Sequence, residues 1–127
     1  FLAAEYLRQN ENLDVQVVDL PWLNRVDLRW LSSTLEKVEA VVTLDNHYGV
    51  GGQGDRVAVA LAEAGLGHIQ LLRVALESLP ACGTHEEVLK HHALDTITLA
   101  NQILSVTHRS PKKPSLPVLP LSHEDIQ

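Results

Sequence analysis

The chain has 127 residues, of which 45% are hydrophobic, and a formal net charge of -6, values that fit one globular domain with a modest core. Lys and Arg are adjacent only at Lys112-Lys113, so no basic patch of the kind that binds nucleic acid is written in the chain. No apolar run approaches the ~18 residues of a membrane span, no basic region leads into a signal-like segment, and the lone Cys82 excludes an internal disulfide framework and fits a reducing cytosol; a cytoplasmic protein is expected.

Phe1 to Asn10 reads as a helix, with Leu2, Ala3, Tyr6 and Leu7 on one face, ended by Gln9-Asn10-Glu11-Asn12. It opens on Phe1 without a capping side chain, which leads us to expect that sequence is missing upstream. Leu13 to Leu20, rich in valine and alternating, is expected to be a strand ending before Pro21, with Trp22 to Val26 as a connection. Asp27 is placed to cap a helix whose Leu28, Leu31, Leu35 and Val38 share a face.

Ala40 to Leu44 reads as a strand buried on both faces, and Asp45, Asn46 and His47 sit at its carboxyl end. Gly49, Gly51, Gly52 and Gly54 follow, a density that is entropically costly unless the backbone turns or approaches something closely. A helix is expected from about Asp55, through Val57, Ala60, Leu61 and Ala64, with Gly65 as a left-handed stop. Ile69 to Ala75 gives another strand, and Leu79 to Gly83 a loop. Thr84 and Glu87 form a capping box for a helix over 85–92, and Asp95 caps a longer one with Ile97, Ala100, Ile103 and Leu104 inside. From Ser110 the prolines 111, 114, 117 and 120 recur every third residue, which suits an extended polyproline arm; the domain is therefore taken as 1–109 and the tail as 110–127.

Strand, crossover helix and strand make parallel, right-handed units, so the expected fold is α/β in three layers, helices flanking a mostly parallel sheet of four or five strands, one of which is expected to be missing from the chain. Ligands in such folds sit at the carboxyl ends of strands, which makes Asp45, Asn46, His47, Gly51, Gly52 and Gly54 the candidate anion-binding or domain-contact site. Gly49, Gly51 and Gly54 satisfy G-x-G-x-x-G, but Asp45-Asn46-His47-Tyr48 intervene where a pyrophosphate needs bare amides, and a structural turn is the preferred reading. His91 and His92 point about 100 degrees apart on a helix and His85 lacks a partner of ligand spacing, so no metal site is expected. Cys82 precedes a helix start but has no identifiable base, and no catalytic role is expected.

The run T-L-D-N-H-Y-x-x-G-G-x-G at Thr43 to Gly54, with L-D-V-Q-V-V-D-L-P-W-L-N-R-V-D before it and L-P-A-C-G-T-H-E-E-V-L-K-H-H-A-L-D after it, resembles the C-terminal domain of transketolase-type, thiamine-diphosphate-dependent enzymes over about residues 1 to 107. Many relatives carry Glu-Asp-His where this chain has Asp45-Asn46-His47. The resemblance implies a Rossmann-like domain that is itself non-catalytic, with no cofactor-binding residue of its own. It would pack on the thiamine-binding domains and support a homodimer. The parent enzyme would use thiamine diphosphate and a divalent metal, Mg or Ca, to move a two-carbon ketol unit from a ketose phosphate to an aldose phosphate. A deoxyxylulose-phosphate synthase or a 2-oxoacid dehydrogenase β subunit is the alternative parent, and a free-standing anion or nucleotide module on Gly49 to Gly54 the alternative of another class.

Overall fold

A computed structural model describes residues 1–107; the expected proline-rich arm and the domain boundary at 109 lie outside the described residues. Five helices and two strands follow in the order α1 (Leu2–Glu11), α2 (Leu28–Thr34), β1 (Ala40–Tyr48), α3 (Gln53–Glu63), β2 (Gln70–Leu76), α4 (His85–His91) and α5 (Thr96–Val106). β1 and β2 are parallel, with Ala40 opposite Gln70 and Leu44 opposite Val74. With α3 between them they form a βαβ unit, whereas the unit expected of Leu13–Leu20, α2 and β1 is not formed, because Leu13–Leu20 is not a strand.

Local chemistry sets most of the boundaries. Asp27 Oδ1 accepts the Trp30 N–H at 2.9 Å at the start of α2. Asp95 Oδ1 accepts that of Thr98 at 3.1 Å at the start of α5. At α4 the box is reciprocal: Thr84 Oγ1 accepts the Glu87 N–H at 3.4 Å, and Glu87 Oε2 accepts the Thr84 N–H at 2.9 Å. Three helices end on a left-handed residue, Asn12 (φ 49°), Gly65 (φ 70°) and Ala93 (φ 57°). The next N–H in each case reaches back to close the helix: Leu13 to Leu7 O, Leu66 to Leu61 O and Leu94 to Leu89 O.

The core is in two parts. Leu31 of α2, Val57, Ala60 and Leu61 of α3 and Ile69 form one cluster, joined by half-buried Leu20, Val41 and Leu71. Leu7 of α1 with Ala100 and Leu104 of α5 form the other, joined by Leu13 and Val15. Two separate apolar clusters are what helices on either side of a sheet require. Leu7 and Leu104 are fully buried, and truncating either to Ala would cost about 2–5 kcal/mol.

Some expectations differ in detail. Leu13–Leu20 forms no strand, so among the described residues two of the four or five expected strands are present. The alternation survives only over its first half, with Leu13 and Val15 half-buried and Asp14 and Gln16 exposed, while Val17 and Val18 are both exposed; a strand is defined by ladder bonds to a neighbour, and no described strand pairs with the segment. β1 runs on to Tyr48, beyond the expected stop at Leu44, and α3 starts at Gln53, two residues ahead of Asp55. α2 ends at Thr34, ahead of Leu35 and Val38.

Candidate functional site

The candidate residues gather where β1 hands over to α3. Pairing with β2 slips between Leu44 and Tyr48, so Asp45, Asn46 and His47 bulge out of the ladder and are re-aimed. Asp45 is buried at 6% exposure while Asn46 and His47 are exposed. A buried carboxylate needs partners, and Asp45 finds them at the amino end of α3: Oδ1 accepts the Gln53 N–H at 3.2 Å and Oδ2 the Gly54 N–H at 3.0 Å. Gly52, at the cap position, offers no side chain of its own; the strand supplies the capping carboxylate instead, opposite the positive end of the helix dipole. His47 Nε2 lies 3.7 Å from Asp45 Oδ1 and its Nδ1 2.8 Å from the Tyr48 carbonyl oxygen.

The glycines answer separate demands. Gly51 has φ 76° in open space, so its role is the left-handed turn itself. Gly52 and Gly54 are required by proximity: a Cβ at Gly52 would stand 2.8 Å from Asp45 Oδ2, and one at Gly54 2.7 Å from Thr43 Oγ1. The Thr43 hydroxyl is buried without a hydrogen-bond partner. Asp55 accepts the Gly51 N–H at 2.7 Å and pairs with Arg73 of β2, bracing the turn against the second strand.

This geometry bears directly on anion binding. Gly51 donates to Asp55, Gly52 to Gly49 O, Gln53 and Gly54 to Asp45, and Asp55 to Gly52 O. Five consecutive amides therefore all have acceptors within the chain, two of which are carboxylates. A diphosphate needs those amides bare, and the residues present do not fit one. Among the described residues no group of three or more His, Cys, Asp or Glu could hold a metal ion.

The remaining sequence candidates stay apart. His92 Nε2 accepts the Ala81 N–H at 3.1 Å, pinning the loop after β2, and its ring meets that of His91 edge to face at 4.8 Å. Cys82 is exposed. Gln53, Thr43 and Arg73 were not singled out in the sequence; their parts in the turn are non-local, and only the alternation of β1 hints that Thr43 shares a face with Asp45.

The model of the transketolase C-terminal domain matches residues 1–98. The chain belongs to the transketolase C-terminal domain family. A putative transketolase C-terminal section of Methanocaldococcus jannaschii is 28% identical over 103 residues, 80% of this chain and 31% of that protein. The 1-deoxy-D-xylulose-5-phosphate synthases of Syntrophotalea carbinolica and Acidovorax ebreus are 29% and 33% identical over 108 and 103 residues, 84% and 81% of this chain but 17% and 16% of theirs. The transketolase C-terminal domain seen here thus spans less than a third of these curated relatives. No solved structure matches it significantly. No helix among the described residues is long and apolar enough to cross a membrane.

Proposed function

We propose that this chain is the supporting, non-catalytic C-terminal domain of a thiamine-diphosphate-dependent enzyme that transfers a two-carbon ketol unit from a ketose phosphate to an aldose phosphate. The observation that carries the reading is the family match over residues 1–98. The closed hydrogen bonding of the glycine turn supports the non-catalytic part, because Asp45 spends its carboxylate on α3. Thiamine diphosphate and its divalent metal belong, in this reading, to companion domains, and no step of the reaction is assigned to residues 1–107. Asp45, Gly52 and Gly54 hold the turn rigid, while exposed Asn46 and His47 are left to face a companion domain. Assembly is dimeric and cytoplasmic.

A second reading is favoured by the relatives themselves. Three of them are named 1-deoxy-D-xylulose-5-phosphate synthase, so the parent could make that product through the same supporting domain. Product analysis of the complete enzyme supplied with thiamine diphosphate and magnesium tests both. A ketose phosphate longer by two carbons supports the first reading and 1-deoxy-D-xylulose 5-phosphate the second. Turnover by this chain without companion domains would refute either.

A further inference from the structure

Two features of the chain are used neither by the glycine turn nor by the supporting-domain reading: a tryptophan-lined recess ahead of α2 and the proline period after Ser110. The recess has a volume of about 270 Å³, and its lining includes Trp22, Trp30, Val26, Asp19, Asp27 and Arg25. Trp22 and Trp30 are 59% and 39% exposed, so both indoles offer ring surface to a ligand. The Arg25 guanidinium sits 4.6 Å from the centre of the Trp22 ring and covers one of its faces. Asp27 commits Oδ1 to the Trp30 N–H, while Asp19 is exposed and has no partner among the described residues. Two carboxylates against one guanidinium give the recess a net negative charge.

The second feature complements the first. Pro111, Pro114, Pro117 and Pro120 recur every third residue, and polyproline II has three residues per turn, so all four fall on one edge of such a segment. Lys112 and Lys113, the only adjacent cations of the chain, lie between the first two prolines. A polyproline ridge docks in aromatic-lined grooves, where its rings stack on the aromatic faces and little conformational freedom remains to be lost. Opposite charge beside the groove selects the residues that flank the prolines. Indoles with a net negative surround and prolines with a lysine pair are thus the two halves of one recognition mode.

We propose that the recess is a binding site for a lysine-flanked polyproline II segment and that residues 111–120 of the same chain occupy it. The prolines lie against Trp22 and Trp30, and a lysine faces Asp19. From Thr107 to Pro120 is 13 residues, about 40 Å at the polyproline rise of ~3.1 Å per residue. A body of 107 residues has a radius of gyration of about 13 Å, so the arm is long enough to return to the body it starts from. Tethering holds the arm at an effective concentration on the order of 1 mM, which fills even a weak contact. A free peptide or the arm of a second copy has no such advantage at micromolar protein. The proposal goes beyond the supporting-domain reading and does not depend on it.

The test uses the full chain, isotopically labelled, with a nitroxide on Val118→Cys in a Cys82→Ser background. Trp22 and Trp30 are the only tryptophans, so the two indole N–H resonances report on the recess alone. The nitroxide should broaden both. Changing the four prolines to serine should reduce that broadening at least about fivefold. Asp19→Lys, or Lys112→Glu with Lys113→Glu, should reduce it at least about twofold, and all three together should restore part of it. Asp19 and Cys82 are exposed and the other changes fall after residue 107, so the remaining resonances should stay in place. Unbroadened indoles in the chain with its prolines intact overturn the proposal. Equal broadening once the prolines are gone also overturns it, because nearness alone then accounts for the effect. With nitroxide and isotope on separate chains, broadening as strong as on one chain seats the arm on a second copy and overturns the assignment to the same chain.

Discussion

The Asp45 carboxylate, projecting from the bulged end of β1, accepts the Gly54 N–H at 3.0 Å with Oδ2 while Oδ1 takes that of Gln53. One buried side chain thereby caps the helix that follows it and fixes the strand-to-helix handover. Asp45→Ala leaves two helix-end amides without a partner in a buried setting and should cost about 1–3 kcal/mol. Asp45→Asn keeps one acceptor and should cost less. Urea denaturation followed by circular dichroism ranks the two.

Gly54 and Thr43 should show coupled effects. Gly54→Ala drives a Cβ to 2.7 Å from Thr43 Oγ1 and 3.2 Å from the Arg73 chain, an overpacking of about 1–3 kcal/mol. Thr43→Ala removes a hydroxyl that has no partner and should be close to neutral by itself. The double variant should then recover a large part of the Gly54→Ala loss, because Arg73 is flexible and can yield. Four unfolding curves, closed into a double-mutant cycle, measure the coupling.

Ala93 holds φ 57° at the end of α4, a conformation that costs a side chain about 1 kcal/mol. Ala93→Gly should raise stability by several tenths of a kcal/mol, since relief of strain exceeds the added freedom of the unfolded chain. A higher thermal midpoint in a melting curve is the expected result.

Acid should loosen the α4–α5 region. The Thr84 amide, then its hydroxyl, hold the Glu87 carboxyl below its ordinary range. The Thr98 side chain, against desolvation and with help from backbone amides, does the same for Asp95. Both carboxyls bind fewer protons folded than unfolded, so their stabilisation is complete above about pH 5 and is lost as pH falls through the ordinary carboxylate range into the lowered one. Thr84→Ala together with Asp95→Asn should flatten the stability profile there. By contrast the Arg73–Asp55 pair is exposed on both sides, and Arg73→Gln should change stability by less than about 1 kcal/mol.

How much of this was legible in the sequence follows the range of each interaction. Asp27, the Thr84–Glu87 box, Asp95 and Gly65 act within four residues of themselves, and the sequence located each. The strand over Leu13–Leu20 was misread because alternation hints at burial, which the segment has only at Leu13, Val15 and Leu20, while the ladder depends on a neighbour elsewhere in space. Asp45, Asn46 and His47 look like loop residues by composition, and only the parallel partner β2 shows them as a bulged continuation of β1. The glycine motif gave the turn, but not that Asp45 reaches eight and nine residues ahead to fill it. Trp30 lies off the Leu28–Leu31 face of α2, a sign of exposure that the sequence reading passed over.

The most direct test of a supporting, non-catalytic domain is isothermal calorimetry of residues 1–127 against thiamine diphosphate with magnesium, and against sugar phosphates. With the five turn amides already engaged, no saturable heat is predicted for any of them. A stoichiometric isotherm for the cofactor or a sugar phosphate, abolished by a change at Gly52 or Gly54 that leaves the fold intact, would contradict the account.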